Sequence, residues 1–349
     1  MSDGKRILIT GVARYLGLRL AMRLAGEDGV AQLIGVDLDE PPVAIDGLEF
    51  VRADIRKPLI ARVVEATKAD TVVHTNITST PGRAGGRLQL RENNVIGTMQ
   101  LLAASQRSER VKHVVMRSST AVYGSGPGEP SILPEGFGAR EADLAGYARD
   151  CAEAETYMRD FARRRQDVTT TILRTQGVIG PTVTTGMTQY LSMPVIPTAL
   201  GYDPRLQLLH EVDAVEALRV AALKDVPGIF NIGGNGVVFL SQAIRLLGRV
   251  ELPLALPVAQ TMATVLRGLR TVDFPTDQLN LLLFGRVVDI TRAREMLGFV
   301  PVYSTRSAIE DLRDRRRGDY EIESRPNLAW ERQLFDYLEH RSGGERELV

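Results

Sequence analysis

The run Arg6 to Gly17, RILITGVARYLG, constrains the fold more than any other stretch of this chain. Ile7 to Thr10 are apolar or β-branched and bounded by turn signals, which predicts a short buried strand. Gly11 opens a turn, and from Tyr15 the pattern becomes helical, with Leu16, Leu20 and Leu24 on one face. A strand, a turn and a helix in that order aim unpaired backbone N–H groups and the positive end of a helix dipole at one point, which suits a phosphate. The dinucleotide fingerprints G-x-x-G-x-x-G and G-x-G-x-x-G carry a middle glycine where Arg14 stands here, so a side chain meets the place where a pyrophosphate approaches bare backbone. An ordinary strand-to-helix turn remains the competing reading of this run taken alone.

The second half of the fingerprint follows. Ala31 to Asp37, AQLIGVD, is an apolar strand ending in an acid, 26 residues after Gly11. That spacing suits a carboxylate that bonds the adenosine ribose hydroxyls, and such a carboxylate repels a 2′-phosphate, favouring NAD over NADP. Arg14 offsets part of that repulsion. The alternative for Asp37 is a helix cap or a turn residue.

With 349 residues the chain can bury a sizeable core in one large or two closely joined domains. Its 43 basic and 43 acidic residues cancel, which argues against a nucleic-acid partner because no strong basic field exists. The basic cluster Arg313 to Arg317 reads as a solvated helix end. One cysteine excludes an internal disulfide and fits a cytoplasmic protein. The first strand begins by Arg6, leaving no room for a signal peptide. The longest apolar run, Leu252 to Leu266, holds Pro253 and Pro257 and is too short to span a bilayer. A helix over about Val258 to Leu269 is expected to pack on its own domain. No metal site is expected. Arg outnumbers Lys by 38 to 5, so a lost lysine would most simply be replaced by arginine.

Strand signals at Ile7 to Thr10, Leu33 to Asp37, Leu48 to Ala53, Thr71 to Thr75, Val111 to Arg117 and Val168 to Leu173 alternate with helical patterns at Tyr15 to Gly26, Ile60 to Thr67, Leu88 to Arg107 and Tyr147 to Arg165. This alternation predicts an α/β, Rossmann-type doubly wound parallel sheet, with ligands at the carboxyl ends of the strands. Asp54 and Ile55 follow the third strand, where an acid and an apolar residue could hold adenine. His74, Thr75 and Asn76 follow the fourth, with His74 read as a satisfied strand-end histidine, and Ser118, Ser119 and Thr120 follow the fifth. The glycine-rich loop Pro81 to Gly86 lies on the ligand side. After Pro181 the alternation weakens, then Leu206 to Leu209 and Gly228 to Ile232 look like strands again. The expected division is a dinucleotide domain over 1–175 and 206–233 and a smaller, discontinuous C-terminal substrate domain over 176–205 and 234–349. The tail from Ser342 is expected to be disordered.

Ser119 lies five residues before Gly124, and Tyr147 opens a helix 28 residues after Ser119, so a hydroxyl and a phenol can reach one substrate carbonyl. With these residues the chain resembles the extended short-chain dehydrogenase/reductases, in the NAD-dependent epimerase/dehydratase branch. The resemblance runs through TGxxxxxG at Thr10 to Gly17, DI at Asp54, DTVVH at Asp70 to His74, NNVIGT at Asn93 to Thr98 and S-x-x-V-Y-G at Ser119 to Gly124. It continues through ILR…GP at Ile172 to Pro181, H-x-x-D at His210 to Asp213, FNIGG at Phe230 to Gly234 and LGFVP at Leu297 to Pro301. It is most similar to a UDP-glucose epimerase-like subgroup whose members do not all keep the full active site.

The resemblance implies a catalytic tetrad of Asn94, Ser119, Tyr147 and residue 151, where the family's lysine is Cys151. The cofactor-binding set it leads to is Gly11, Arg14, Tyr15, Leu16, Gly17, Asp37, Asp54, Ile55 and Thr75. A free tyrosine ionises near pH 10, so only about 0.1% is phenolate at neutral pH. The family's lysine lowers that value; recovering two to three units takes on the order of 3–4 kcal/mol, which an uncharged thiol does not supply. Arg149 points about 200° around the helix from Tyr147 and is a poor substitute. Cys151 reads as a small packed side chain rather than a nucleophile. On the substrate side the family's asparagine three residues after the ILR arginine is Gly177, and an arginine four residues before the H-x-x-D histidine is Leu206, with Arg205 adjacent. A UDP-sugar is therefore not assured as the substrate.

Three functions follow as expectations. The first is an NAD-dependent epimerase, dehydratase or reductase on a nucleotide-sugar-like or other hydroxylated small molecule. The second is a dinucleotide-binding sensor or scaffold that has lost turnover, and the third an enzyme doing acid–base chemistry without hydride transfer. The helices Leu88 to Arg107 and Tyr147 to Arg165 match the pair that forms a dimer bundle in the family, which implies a homodimer.

Overall fold

The computed structural model describes residues 4–79, 86–138, 144–257 and 276–316. Along the chain run β1 (Lys5–Thr10), β2 (Val30–Asp37), β3 (Leu48–Arg52), β4 (Thr71–His74), β5 (His113–Ser119), β6 (Thr169–Thr175), β7 (Gly177–Ile179), β8 (Val195–Ala199), β9 (Arg205–Leu206), β10 (Leu208–His210), β11 (Gly228–Ile232), β12 (Val238–Phe239) and β13 (Val250–Leu254). Seven of them form one sheet in the order β11-β6-β5-β4-β1-β2-β3, and every neighbouring pair is parallel. The order reverses at β1, where β2 lies on one side and β4 on the other, and a crevice opens at such a switch point.

Helices α1 (Tyr15–Leu24), α2 (Ile60–Ala66), α3 (Arg87–Arg91), α4 (Thr98–Arg107), α5 (Gly146–Arg164), α6 (Gly186–Leu191), α7 (Glu211–Leu223) and α8 (Leu240–Leu246) follow in chain order. The two-residue alternation of the strands divides the core. Ile7 and Ile9 of β1 join a cluster with Leu20 and Leu24 of α1 and Leu218 of α7. Leu8 joins the opposite cluster with Leu101 of α4 and Cys151 and Phe161 of α5. Each fully buried Leu or Ile contributes about 1.5–3 kcal/mol. A third cluster, with Ile179, Leu206, Leu208, Ile244 and Ile309, gathers the chain beyond β6.

Two expected elements differ. The helix expected over Leu88 to Arg107 is interrupted by a π-helical turn, Glu92–Gly97. Asn94 on that turn is drawn into bonds with Thr78 and Asp150, and the Thr98 hydroxyl donates to the Asn94 carbonyl. The strand expected over Leu206 to Leu209 breaks at Gln207. Its side chain donates to the Gly234 carbonyl and accepts from the Val288 amide, so β9 pairs antiparallel with β12 while β10 pairs parallel with β7. Strand β5 runs to Ser119, two residues past the expected end. The expected helix near Val258 to Leu269, the tail from Ser342, Arg317 and most of the Pro81 to Gly86 loop lie outside the described residues.

Candidate active site

Gly11 takes φ +86°, a backbone open to glycine, and carries the chain from β1 into the turn. At Gly17 a Cβ would stand 2.1 Å from the Gly11 carbonyl oxygen, so only glycine lets α1 lie this close to β1. Arg14 caps α1 with an extended backbone but gives no side-chain cap bond, and the first turn, which holds Tyr15 and Leu16, contains no acid. The positive end of α1 is therefore left without an anionic partner from its own turn. The Arg14 Nε is buried with no hydrogen-bond partner among the described residues. Thr75 ties the end of β4 to β1, its hydroxyl donating to the Thr10 carbonyl at 2.7 Å.

Asp37, at the end of β2, accepts from the Ala13 amide at 3.1 Å and the Leu38 amide at 2.8 Å. Burial pushes its carboxyl pKa up; the two amides and the Arg14 charge act against that. Asp37 thus braces the turn and still offers lone pairs to hydroxyl donors. Asp54 is already engaged by Arg56, whose Nε and Nη2 approach it at 2.9 and 2.8 Å. Burial acts to raise its pKa, but Arg56 outweighs that and holds the carboxyl low. Ile55 is buried and packs under Gly97, where a Cβ would lie 2.7 Å from its Cδ1.

The far side of the turn is fastened at one carboxylate. Glu211, which opens α7, accepts from the Thr182 hydroxyl at 2.6 Å and the Val183 amide at 2.7 Å, and Thr182 Oγ1 lies 2.5 Å from the Tyr15 phenol. Burial, reinforced by Glu211, pushes the Tyr15 pKa well up, so its phenol stays neutral.

At the end of β5 the Ser119 hydroxyl accepts from the Ala121 amide at 3.1 Å and interacts with the Tyr147 phenol, favouring its ionised form. Tyr147 stands at the start of α5, one turn before the Cys151 thiol. Cys151 is fully buried and Tyr147 is 5% exposed. Burial pushes both groups up; the neighbouring thiol raises the phenol further, whereas the Arg117 charge and Ser119 lower it. Both are neutral at physiological pH. Arg149 is exposed.

Asn94 is fully buried, but its polar atoms are already used: it accepts from the Thr78 amide and donates to the Thr78 carbonyl and to Asp150. Asp150 is gripped in turn by Arg87 at 2.5 and 2.7 Å. Asn94 therefore joins the segment after β4 to α5. His74 lies between two hydroxyls, Thr10 at 2.7 Å and Thr98 at 2.9 Å. Thr98 gives its proton to the Asn94 carbonyl, so His74 Nε2 is the donor and Nδ1 the acceptor of a neutral ring. Burial pushes its pKa down to about 3.

Behind the site Arg174 of β6 forms a two-pronged pair with Glu155 of α5 at 2.9 and 2.6 Å and bonds the Tyr123 phenol, while Ser118 donates to the same Glu155. Gly177 sits on β7 and Leu206 on β9 is 1% exposed; Arg205 reaches the Ser131 carbonyl. Sequence reasoning missed Arg117. It precedes Ser119 by two residues on β5, and strand alternation extended to Ser119 would have placed it on the same face.

A parallel seven-stranded sheet with a glycine turn after β1, an acid after β2 and a Ser–Tyr pair beside them defines an extended short-chain dehydrogenase/reductase. The profile of the NAD dependent epimerase/dehydratase family matches residues 7–233, and the chain belongs to that family. It is 41% identical over 311 residues to an uncharacterised protein of Mycobacterium tuberculosis, covering 88% of this chain and 83% of that one. Among solved structures it is similar to the UDP-glucuronic acid 4-epimerase of Bacillus cereus in complex with NAD, with TM-score 0.66 and 19% identity over 90% of this chain and 100% of the other. It is also similar to the UDP-glucose 4-epimerase of Thermotoga maritima with UDP-glucose, with TM-score 0.67 and 20% identity over 90% of this chain and 100% of the other. At these identities the structures show a shared fold. No helix of the described residues is long and apolar enough to cross a membrane.

Proposed function

We propose that the chain is an NAD-dependent epimerase/dehydratase-type oxidoreductase acting on a hydroxylated small molecule of nucleotide-sugar type. The observation that carries this reading is the Ser119 hydroxyl set against the Tyr147 phenol at the carboxyl end of β5, beside a turn that admits only backbone at Gly11 and Gly17. The residues present fit a dinucleotide. The first-turn amides of Tyr15, Leu16 and Gly17 would hold the pyrophosphate, with Arg14 Nε as a free donor, and Asp37 would hold the ribose diol. Asp54 and Ile55 would border adenine, and Thr75 would floor the nicotinamide side. Bound NAD supplies hydride exchange at a carbinol carbon. Ser119 orients the substrate hydroxyl, Tyr147 carries its proton, and Asn94 holds α5 in register through Thr78 and Asp150.

The solved relatives bound to UDP-glucose and NAD support the substrate class and the choice of NAD over NADP. Gly177 and Leu206 provide neither polar side chain of the family's diphosphate clamp, so the reading stops at a nucleotide-sugar-like substrate. The division at 1–175 with 206–233 and 176–205 with 234–349, a homodimer through α4 and α5, and a cytoplasmic location consistent with one buried thiol belong to the same proposal.

A second reading, a dinucleotide-binding sensor that has lost turnover, is favoured by one observation: Tyr147 meets an uncharged thiol on its own helix. Denaturing the purified protein and weighing the released nucleotide by mass spectrometry, followed by calorimetric titration of the empty protein with NAD, tests the binding claim. Retained NAD or a measurable affinity supports it; neither would remove both readings. Turnover of any nucleotide sugar then separates enzyme from sensor.

A further inference from the structure

Helix α5 presents Tyr147 in its first turn, yet little in that turn fixes where the helix begins. Its N-cap residue is Ala145, which gives no side-chain cap bond, and the first turn contains no acid. Gly146, directly before Tyr147, takes φ +57°, and a glycine leaves the backbone many alternatives. The placement of Tyr147 therefore depends on contacts from outside α5. Asp150, one turn beyond Gly146, is 1% exposed, and a carboxylate buried that far needs a partner. Arg87, the first residue of α3, meets both needs. Its Nη1 donates to Asp150 Oδ2 at 2.5 Å, and its Nη2 donates to Asp150 Oδ1 at 2.7 Å and to the Gly146 carbonyl at 2.5 Å. One planar guanidinium thus spans the first turn of α5 from Gly146 to Asp150, and Tyr147 lies between these two anchors in the chain. Asn94 adds a bond to Asp150 Oδ2 at 3.2 Å. Arg91 also joins α3 to α5, but near the surface, and its bond goes to the Glu153 side chain. Such a surface pair contributes little.

We propose that Arg87 is a positioning residue for Tyr147: by holding Gly146 and Asp150 together it sets where α5 starts, and with that the placement of the phenol. The inference rests on the proposed function, in which Tyr147 carries the substrate proton. Arg87 acts through the Gly146 peptide and the Asp150 carboxylate and touches no reacting atom. A misplacement of about 1 Å at a reacting group costs about a hundredfold in rate, so this tether governs turnover as well as stability.

The test needs neither cofactor nor substrate, so its result is separate from that of the NAD titration. Tyr147 is replaced by 3-fluorotyrosine, and its fluorine resonance is recorded in the full chain, with the melting temperature measured alongside. Arg87→Ala is expected to move the resonance by more than its linewidth or to split it. Arg91→Ala, which breaks the neighbouring link between α3 and α5, is expected to leave the resonance in place. A resonance unmoved by Arg87→Ala, or moved equally by Arg91→Ala, overturns the proposal even where the melting temperature falls, because a mere packing staple lowers stability without addressing Tyr147. Should Arg87→Ala not fold, Arg87→Met combined with Asp150→Asn decides, since it removes both charges of the pair together with the donor to Gly146. A displaced resonance in that double variant supports the positioning role. A parental resonance, or a chain that still does not fold, overturns it.

Discussion

Tyr147 and Cys151 stand one turn apart on α5, both buried, and the thiol acts on the phenol. Both groups are neutral, and burial makes the thiol a packing residue. Burial pushes the thiol up, Tyr147 pulls it partly back, and Glu155 pushes it up again. The folded protein is therefore expected to leave Cys151 unmodified by a thiol-specific disulfide reagent at pH 8, with one equivalent reacting after denaturation. Rapid labelling of the native chain would refute the assignment.

Asp37, at the end of β2, braces the turn between β1 and α1. Asp37→Ala removes the acceptor for the Ala13 amide and, on the proposed function, the ribose ligand together. A hydrogen bond to a charged group contributes about 1.5–3 kcal/mol, so the dissociation constant for NAD is expected to rise roughly ten- to hundredfold. Calorimetry checks this, and an unchanged constant would mean that Asp37 is a turn brace alone.

Glu155 is the counter-ion of a buried arginine. Glu155→Ala would leave the Arg174 guanidinium, which is 7% exposed, without its carboxylate. Removing one partner of a buried pair costs about 3–5 kcal/mol, and the urea midpoint is expected to fall accordingly. Truncating Glu40, whose pair with Arg52 is exposed on both sides, is expected to change the midpoint little.

His74 links stability to pH. Burial, with the Arg117 charge adding to it, holds its folded pKa at about 3, well below the unfolded value. Between these values the unfolded chain binds a proton that the folded chain does not, so the stability is present above about pH 6.5 and is lost as pH falls toward 3. The slope for one proton is about 1.4 kcal/mol per pH unit. Denaturant midpoints from pH 7 to pH 5 are expected to fall along that slope, and His74→Gln is expected to remove one proton's share of it. His113, whose pKa burial lowers to about 4, supplies a further share that this variant keeps.

The parts of the site made by neighbours in sequence were legible. Gly11, Gly17 and the apolar alternation of Ile7 to Thr10 act within one strand and one turn, and the structure places them as the pattern implies. What stayed hidden depends on distant contacts. The π-helical turn exists because Asn94 bonds Thr78 and Asp150, sixteen and fifty-six residues away. The break at Gln207 exists because its amide bonds Gly234 and Val288. Arg117 escaped for a local reason: ending the fifth strand at Arg117 left Ser119 in a loop, where alternation says nothing about a shared face. The Arg56 pair that holds the Asp54 carboxylate is set by side-chain geometry that spacing alone does not fix.

The Glu211 clasp gives the crevice its character. Helix α1 through Tyr15, the loop after β7 through Thr182, and helix α7 through Glu211 itself are knotted at one carboxylate. A chamber with three walls tied together does not widen by letting one of them drift. Losing that one carboxylate would set all three walls loose at once.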